Sequence, residues 1–335
     1  MRKDGKDKNS PKFLSFAAMN NSFLTVVSVL HTPGDMRVLP EFMRGLWPVL
    51  QGHFADFEII LVNNCTELSP DEYLRPLDPE LKQNIYVLQL SARVNRNHAV
   101  VAGLDRANGD YVVVFEPGFY HKPELILDLF AKTREHFDIV YLRGRSRPIS
   151  LKFRPFYKAF YYILRHYSQL RVDEGAYDTR IISRRALNSL LRLRENLRYM
   201  KAIYSIVGYN TAALDTDQKP EWDEEDSFNE RFGTSLVAIT SYTTFLRSLL
   251  LWIFMFSLTF LIAVIVNALK VKFTGVDLLG NVGEPFSGWT FLVVLISVFF
   301  AATCLNLYIM SIYLSNIYNE IKQRPLYIIE SIKRF

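Results

Sequence analysis

The sequence is poor in cysteine, with two in 335 residues, Cys65 and Cys304. They lie far apart, one in an expected loop and the other in an apolar run. That argues against a disulfide, and no cysteine or histidine spacing suits a metal. Neither sign of charge dominates: 39 Lys and Arg stand against 34 Asp and Glu, a surplus of five. So small a surplus does not indicate a nucleic-acid partner; a basic rim facing anionic lipid fits better. The N-terminus lacks the apolar stretch of a signal peptide. Residues 1–12, MRKDGKDKNSPK, read as a disordered basic tail. Apolar residues, by contrast, are abundant. They make up half the chain and lift the mean hydropathy to +0.07.

The apolar excess is concentrated near the C-terminus. Residues 249–269 form an uncharged run of 21, and residues 289–314 an uncharged run of 26. About 20 residues of helix cross the hydrocarbon, so each run is long enough to span. Arg247 precedes the first run, while Lys322, Arg324, Lys333 and Arg334 follow the second. The connecting segment balances Lys270 and Lys272 against Asp277 and Glu284. Positive flanks stay inside, which predicts a hairpin with both chain ends in the cytoplasm. Neither run carries an ionisable residue, which weighs against an ion path.

The rest of the chain alternates between two periodicities. Short apolar runs at 24–30, 57–62, 85–90, 111–115 and 138–142 read as strands. Amphipathic or helix-forming stretches lie between them, at 36–50, at 97–108 and after Pro123-Glu124. Such alternation predicts a parallel sheet with helices on both faces. Ligands bind such sheets at the carboxyl ends of the strands. That rule points to His31-Thr32, Asn63-Asn64, Glu116 to Gly118 and the loop after Leu142. Residues 151–169, LKFRPFYKAFYYILRHYSQ, mix aromatic and basic side chains. They read as an amphipathic helix at the headgroup boundary, or as a core helix with a charged outer face.

Several stretches together resemble a known family. They are SARVNRNHAVVAGLDRANGDYVVVFEPGFYHKPE (91–124), TRIISRRAL (179–187), IYNEIKQRPLYII (317–329) and, more weakly, RFGTS (231–235). With the two apolar runs, their order resembles the polyprenyl-phosphate glycosyltransferases of family 2, including dolichol-phosphate mannose synthase and the bacterial undecaprenyl-phosphate sugar transferases. The resemblance implies an α/β fold of the GT-A, Rossmann-like type. It implies a cytosolic domain over 13–240 that includes the interfacial helix, a transmembrane hairpin over 241–318 and a cytosolic tail over 319–335. It also implies an integral protein of the bacterial inner membrane that self-associates. The expected partners are a nucleotide-sugar and a polyprenyl phosphate, and the expected cofactor is Mg²⁺ or Mn²⁺.

The family's functional residues map unevenly. Donor binding would fall to His31, Asn63, Asn64 and Glu116, where the family usually has more acidic loops. The metal loop, two acids flanking one residue in the family, is Glu116-Pro117-Gly118 here. Glu116 is a metal ligand or a turn-capping acid, and Gly118 supplies no side chain. Ahead of Arg180, the catalytic acid is one of Asp173, Glu174 and Asp178. Arg180, counted with the catalytic residues, and Arg184, four residues on and on the same face if the segment is helical, would grip phosphate, with Arg231 and Ser235 as further phosphate contacts. Two functions are compatible with these departures: an active transferase, or a degenerate relative that scaffolds one. The acid-rich stretch 215–230 reads as a solvated loop.

Overall fold

The computed structural model describes residues 19–145, 154–168, 170, 172–193, 200–221, 228–276, 278, 280, 288–322 and 324–335. The expected tail at 1–12, parts of the expected interfacial helix, Asp277 and Glu284 lie outside the described residues.

Among the described residues, eight strands form one sheet: β1 (Leu24–Leu30), β2 (Phe57–Asn63), β3 (Ile85–Leu90), β4 (Tyr111–Val114), β5 (Ile139–Gly144), β6 (Ala176–Ser183), β7 (Thr211–Thr216) and β8 (Ile329–Arg334). Their order is β7-β5-β6-β4-β1-β2-β3-β8. Parallel pairing joins β3, β2, β1 and β4, and β5 to β7. β6 runs antiparallel between β4 and β5, and β8 runs antiparallel along β3. The sheet is therefore mixed rather than wholly parallel. The first two strands are buried along their whole length, which is why they read as unbroken apolar runs.

Two layers of helices cover the sheet. One core packs α1 (Pro33–His53), α2 (Pro70–Leu74) and α4 (Leu125–Thr133) against alternate strand residues such as Leu24, Val26 and Ile59. The other packs α3 (Arg96–Arg106), α6 (Arg184–Arg192) and α7 (Met200–Ile206) against Val27, Val29 and Ile60. The period of two along each strand divides its side chains between the layers.

The family-like motifs prove largely architectural. A Cβ on Gly103, within the A-G-L-D stretch, would lie 2.3 Å from Val27 Cγ1 and 3.0 Å from Val62 Cγ2, so glycine lets α3 lie close on the sheet. Asp105 accepts a hydrogen bond from the Tyr327 hydroxyl, so two of the motifs touch. Gly109 N–H donates to Thr25 Oγ1 at 2.8 Å, and that hydroxyl donates to the buried Glu58 at 2.7 Å.

After the sheet, α8 (Phe228–Tyr242) leads into α9 (Phe245–Thr274) and α10 (Gly288–Ile321). The last two helices are about 45 and 51 Å long at 1.5 Å per residue, more than a bilayer core requires. Their apolar windows are 0% and 6% buried, unlike core helices of a soluble protein. Thr244 N–H donates to the Tyr167 carbonyl at 3.0 Å at the start of α9. Asn316 Nδ2 donates to Thr240 Oγ1 at 2.7 Å near the end of α10. The segment 319–335, expected as a tail, ends in β8. Lys333 pairs with Asp71, and Arg334 sits over the Tyr86 ring at 5.6 Å.

Helix α5 (Arg154–Tyr167) falls within the expected 151–169 and packs on α8. Only Tyr161 and Leu164 are buried, while Phe156 and Tyr162 are exposed.

Candidate functional site

The carboxyl ends of β1, β2 and β4 converge, as a sheet of this topology requires. Asn64 follows β2 and is fully buried. Its Oδ1 accepts from Val94 N at 2.9 Å, and its Nδ2 donates to the Val94 carbonyl at 2.8 Å. Those two bonds fix the orientation of the amide, so Nδ2 is also the donor facing His31 Nδ1 at 2.6 Å. Arg93 Nη2, also a donor, lies 3.2 Å from Nε2 on the other side of the ring. Asn63, also fully buried, donates to the Leu68 carbonyl and Gln89 Oε1 and accepts from Cys65 N. Both asparagines thus organise the loop that follows β2, and His31 is the member of this group that faces a basic side chain. Burial pushes the Cys65 thiol up from its ordinary range, keeping it protonated at neutral pH.

Glu116 follows β4. Its Oε2 accepts from Asp178 N at 3.1 Å, Thr179 N at 3.0 Å and Thr179 Oγ1 at 3.0 Å. Its Oε1 accepts from Arg96 Nη2 at 3.2 Å. Asp178 Oδ2 lies 3.7 Å from Arg96 Nε, so one guanidinium stands between two carboxylates. Arg96 opens α3 and Arg93 lies in the loop before it, so this short segment brings two cations to the strand ends.

The residues present do not fit a divalent cation. Glu116 is engaged on both oxygens, and its outer oxygen already faces a positive charge. A Cβ at Gly118 would lie 2.7 Å from Pro220 Cβ, so a second acid there would collide with the segment packed on it. Glu221 N–H donates to the Gly118 carbonyl at 3.0 Å and closes that packing. Among the described residues, no three His, Cys, Asp or Glu side chains form a metal-sized group. A cation such as Mg²⁺ wants several oxygen ligands, and here a single engaged carboxylate stands in the metal loop.

The three candidate acids separate. Asp178 shares Arg96 with Glu116. Asp173 accepts from Tyr141 at 3.0 Å and from Gly175 N at 2.9 Å, and Glu174 pairs with Arg165 of α5 at 3.0 Å. Burial and the Asp173 carboxylate push the Tyr141 hydroxyl up to about 12, so it remains a donor. The two arginines separate as well, because their segment is strand and then helix, not one helical face. Arg180 lies in β6, 3% exposed, over the Tyr204 ring at 3.9 Å. Arg184 begins α6 at the opposite end of the sheet, where it donates to the Ala107 and Gly109 carbonyls. That is a structural clamp, remote from Glu116. Ser235 lies on α8, which packs against α5 and the two long helices. The Arg231 side chain lies outside the described residues.

Residues 44–191 match the family model described as glycosyl transferase family 2. An uncharacterized glycosyltransferase of Synechocystis sp. is 28% identical over 316 residues, 92% of this chain and 95% of its own length. The bactoprenol glucosyl transferase of Shigella phage SfII is 25% identical over 307 residues, covering 90% of this chain and 96% of its own. Among solved structures, glucosyl-3-phosphoglycerate synthase from Mycobacterium tuberculosis, in complex with Mn²⁺ and UDP-glucose, overlays with a TM-score of 0.43 at 15% identity. It covers 65% of this chain and 77% of that one. The match to a family-2 glycosyltransferase domain thus covers the sheet from α1 to α6, and two apolar helices able to span a membrane follow it.

Proposed function

From a family-2 glycosyltransferase domain fastened to two membrane-length helices, we propose that this protein transfers one sugar from a nucleotide-sugar to a polyprenyl phosphate. The reaction is placed at the cytosolic face of a bacterial inner membrane. The bond between the sugar's anomeric carbon and the diphosphate breaks, and its electron pair leaves with the nucleoside diphosphate. An oxygen of the lipid phosphate, already ionised at neutral pH, forms the new bond to that carbon.

The observation that carries this reading is how the helix pair is attached. Both helices hold their domain-side ends against the α/β domain, through Tyr167 with Thr244 and through Thr240 with Asn316. β8, beyond the second helix, then pairs with β3. An acceptor with its tail in the bilayer and its phosphate at the surface needs such a geometry. The carboxyl edge of the sheet offers Arg93 and Arg96 for the departing diphosphate, where charge develops. Asp178 is the acid at that edge that shares Arg96 with Glu116. The exposed aromatics Phe156 and Tyr162 of α5 suit the headgroup layer beside it.

The test is transfer itself. The purified full chain, reconstituted with undecaprenyl phosphate, is given a panel of radiolabelled nucleotide-sugars, and label is followed into the organic phase. Label from at least one donor, dependent on the added lipid phosphate, is the expected result. No lipid-borne label from any donor would refute the reading and leave a scaffold in its place.

A further inference from the structure

Building on that reading, we propose that Arg96 takes the place of the divalent cation in the donor site, so that the protein binds its nucleoside diphosphate without metal. A diphosphate leaving group must be neutralised as it departs, and in a site of this kind either a metal ion or an Arg/Lys group can do so. The strand end that would carry the metal holds one carboxylate, and that carboxylate is committed. Three donors from Asp178 and Thr179 converge on Glu116 Oε2, and Arg96 Nη2 meets Oε1 at 3.2 Å. A cation arriving at Glu116 would have to displace a guanidinium that Asp178 also attracts, at 3.7 Å.

Steric evidence points the same way. The second acid of a metal loop would stand at Gly118, where a Cβ meets Pro220 Cβ at 2.7 Å. Protein occupies the position that the second ligand would need.

Arg96 is suited to the substitution. Its guanidinium is planar, permanently charged and able to grip two phosphate oxygens at once. Glu116 and Asp178 fix the plane of that group, so Glu116 is a positioning residue for an arginine rather than a ligand for a metal. Arg96 keeps 17% of its side chain exposed, so it borders solvent at the strand ends instead of being sealed in the core. Arg93, exposed beside His31, adds a second cation from the same loop.

The experiment measures nucleoside diphosphate binding to the full chain in nanodiscs, by calorimetry, first in EDTA and then in Mn²⁺. UDP, GDP, CDP, ADP and dTDP are the probes. At least one should bind in EDTA, with an affinity within about threefold of that in Mn²⁺. Arg96→Ala should weaken that binding by about tenfold or more, and Arg96→Lys by less, since it keeps the charge but loses the fork. Binding that vanishes in EDTA and returns with Mn²⁺ would overturn the proposal while leaving the transferase reading intact. Binding of none of the five in either buffer would overturn both. Wild-type affinity in a folded Arg96→Ala protein would overturn the assignment to Arg96. The EDTA comparison uses wild-type protein alone, so it decides the matter even if a variant fails to fold.

Discussion

At the scale of single residues, the arginines divide by partner. Arg184 and the buried Arg180 both hold backbone carbonyls, Arg180 also lying over a tyrosine and 3.9 Å from Asp178, whereas Arg96 and Arg93 stand at the strand ends beside a carboxylate and an imidazole. Sequence spacing drew attention to Arg180 and Arg184 because they lie in a family-like segment. It did not single out Arg93 and Arg96, because a loop arginine and a functional one read alike until the fold brings Glu116 to it. Glu116 itself was legible, since a lone acid closing an apolar strand stands out. Its engagement by Thr179, 63 residues on, was not. A further residue pair sets an acid dependence. Burial pushes the Asp138 carboxyl up, but hydrogen bonds from Arg185 and Ser183 outweigh it and hold the group below its ordinary value of 3.8. A depressed carboxylate stabilises the fold fully above its unfolded pKa, and that contribution is lost as pH falls through the folded value. Melting temperatures followed from pH 6 to pH 3 should fall less steeply for Asp138→Asn than for wild type, and Asp138→Asn should melt lower at pH 7. Parallel curves would show that the pair is not linked to folding.

At the scale of elements, packing decides what a sequence reveals. β1 to β5 were legible because buried strands carry unbroken apolar runs. β6, β7 and β8 are not legible as strands from the sequence. AYDTRIIS and IESIKR interrupt their apolar residues with charged ones, and β8 lies at the sheet edge beyond a long apolar helix. Antiparallel β6 inserts between β4 and β5, and this places Asp178 and Thr179 beside Glu116. The close seat of α3 on the sheet matters equally, because α3 opens with Arg96. Gly103→Ala would place a methyl 2.3 Å from Val27 Cγ1 and push the helix outward. Overpacking of this kind costs roughly 1–3 kcal/mol. Thermal unfolding of Gly103→Ala should show that loss together with weaker nucleotide binding, because the helix carries Arg96 with it. An unchanged melting temperature would mean that the layer yields without cost.

At the scale of the whole molecule, the sheet and the two long apolar helices are joined at several points. The hairpin was legible from two long uncharged runs, and the GT-A class from the order of its motifs. The return of the chain into the sheet through β8 was hidden, since nothing in a short polar segment announces its partner strand. That return sets both helix ends on the side of the α/β domain, consistent with the basic flanks. It also ties Tyr327, beyond the second long helix, to Asp105 near the end of α3, the helix that bears Arg96. The account converges on one place: the carboxyl ends of β1 and β4, where Arg96 stands against Glu116. An experimental structure of the full chain with its nucleoside diphosphate and excess Mn²⁺ tests this most directly. The account predicts diphosphate oxygens within hydrogen-bond reach of Arg96 and no metal between them and Glu116. A manganese ion bridging Glu116 to the diphosphate, or a diphosphate bound elsewhere, would contradict it.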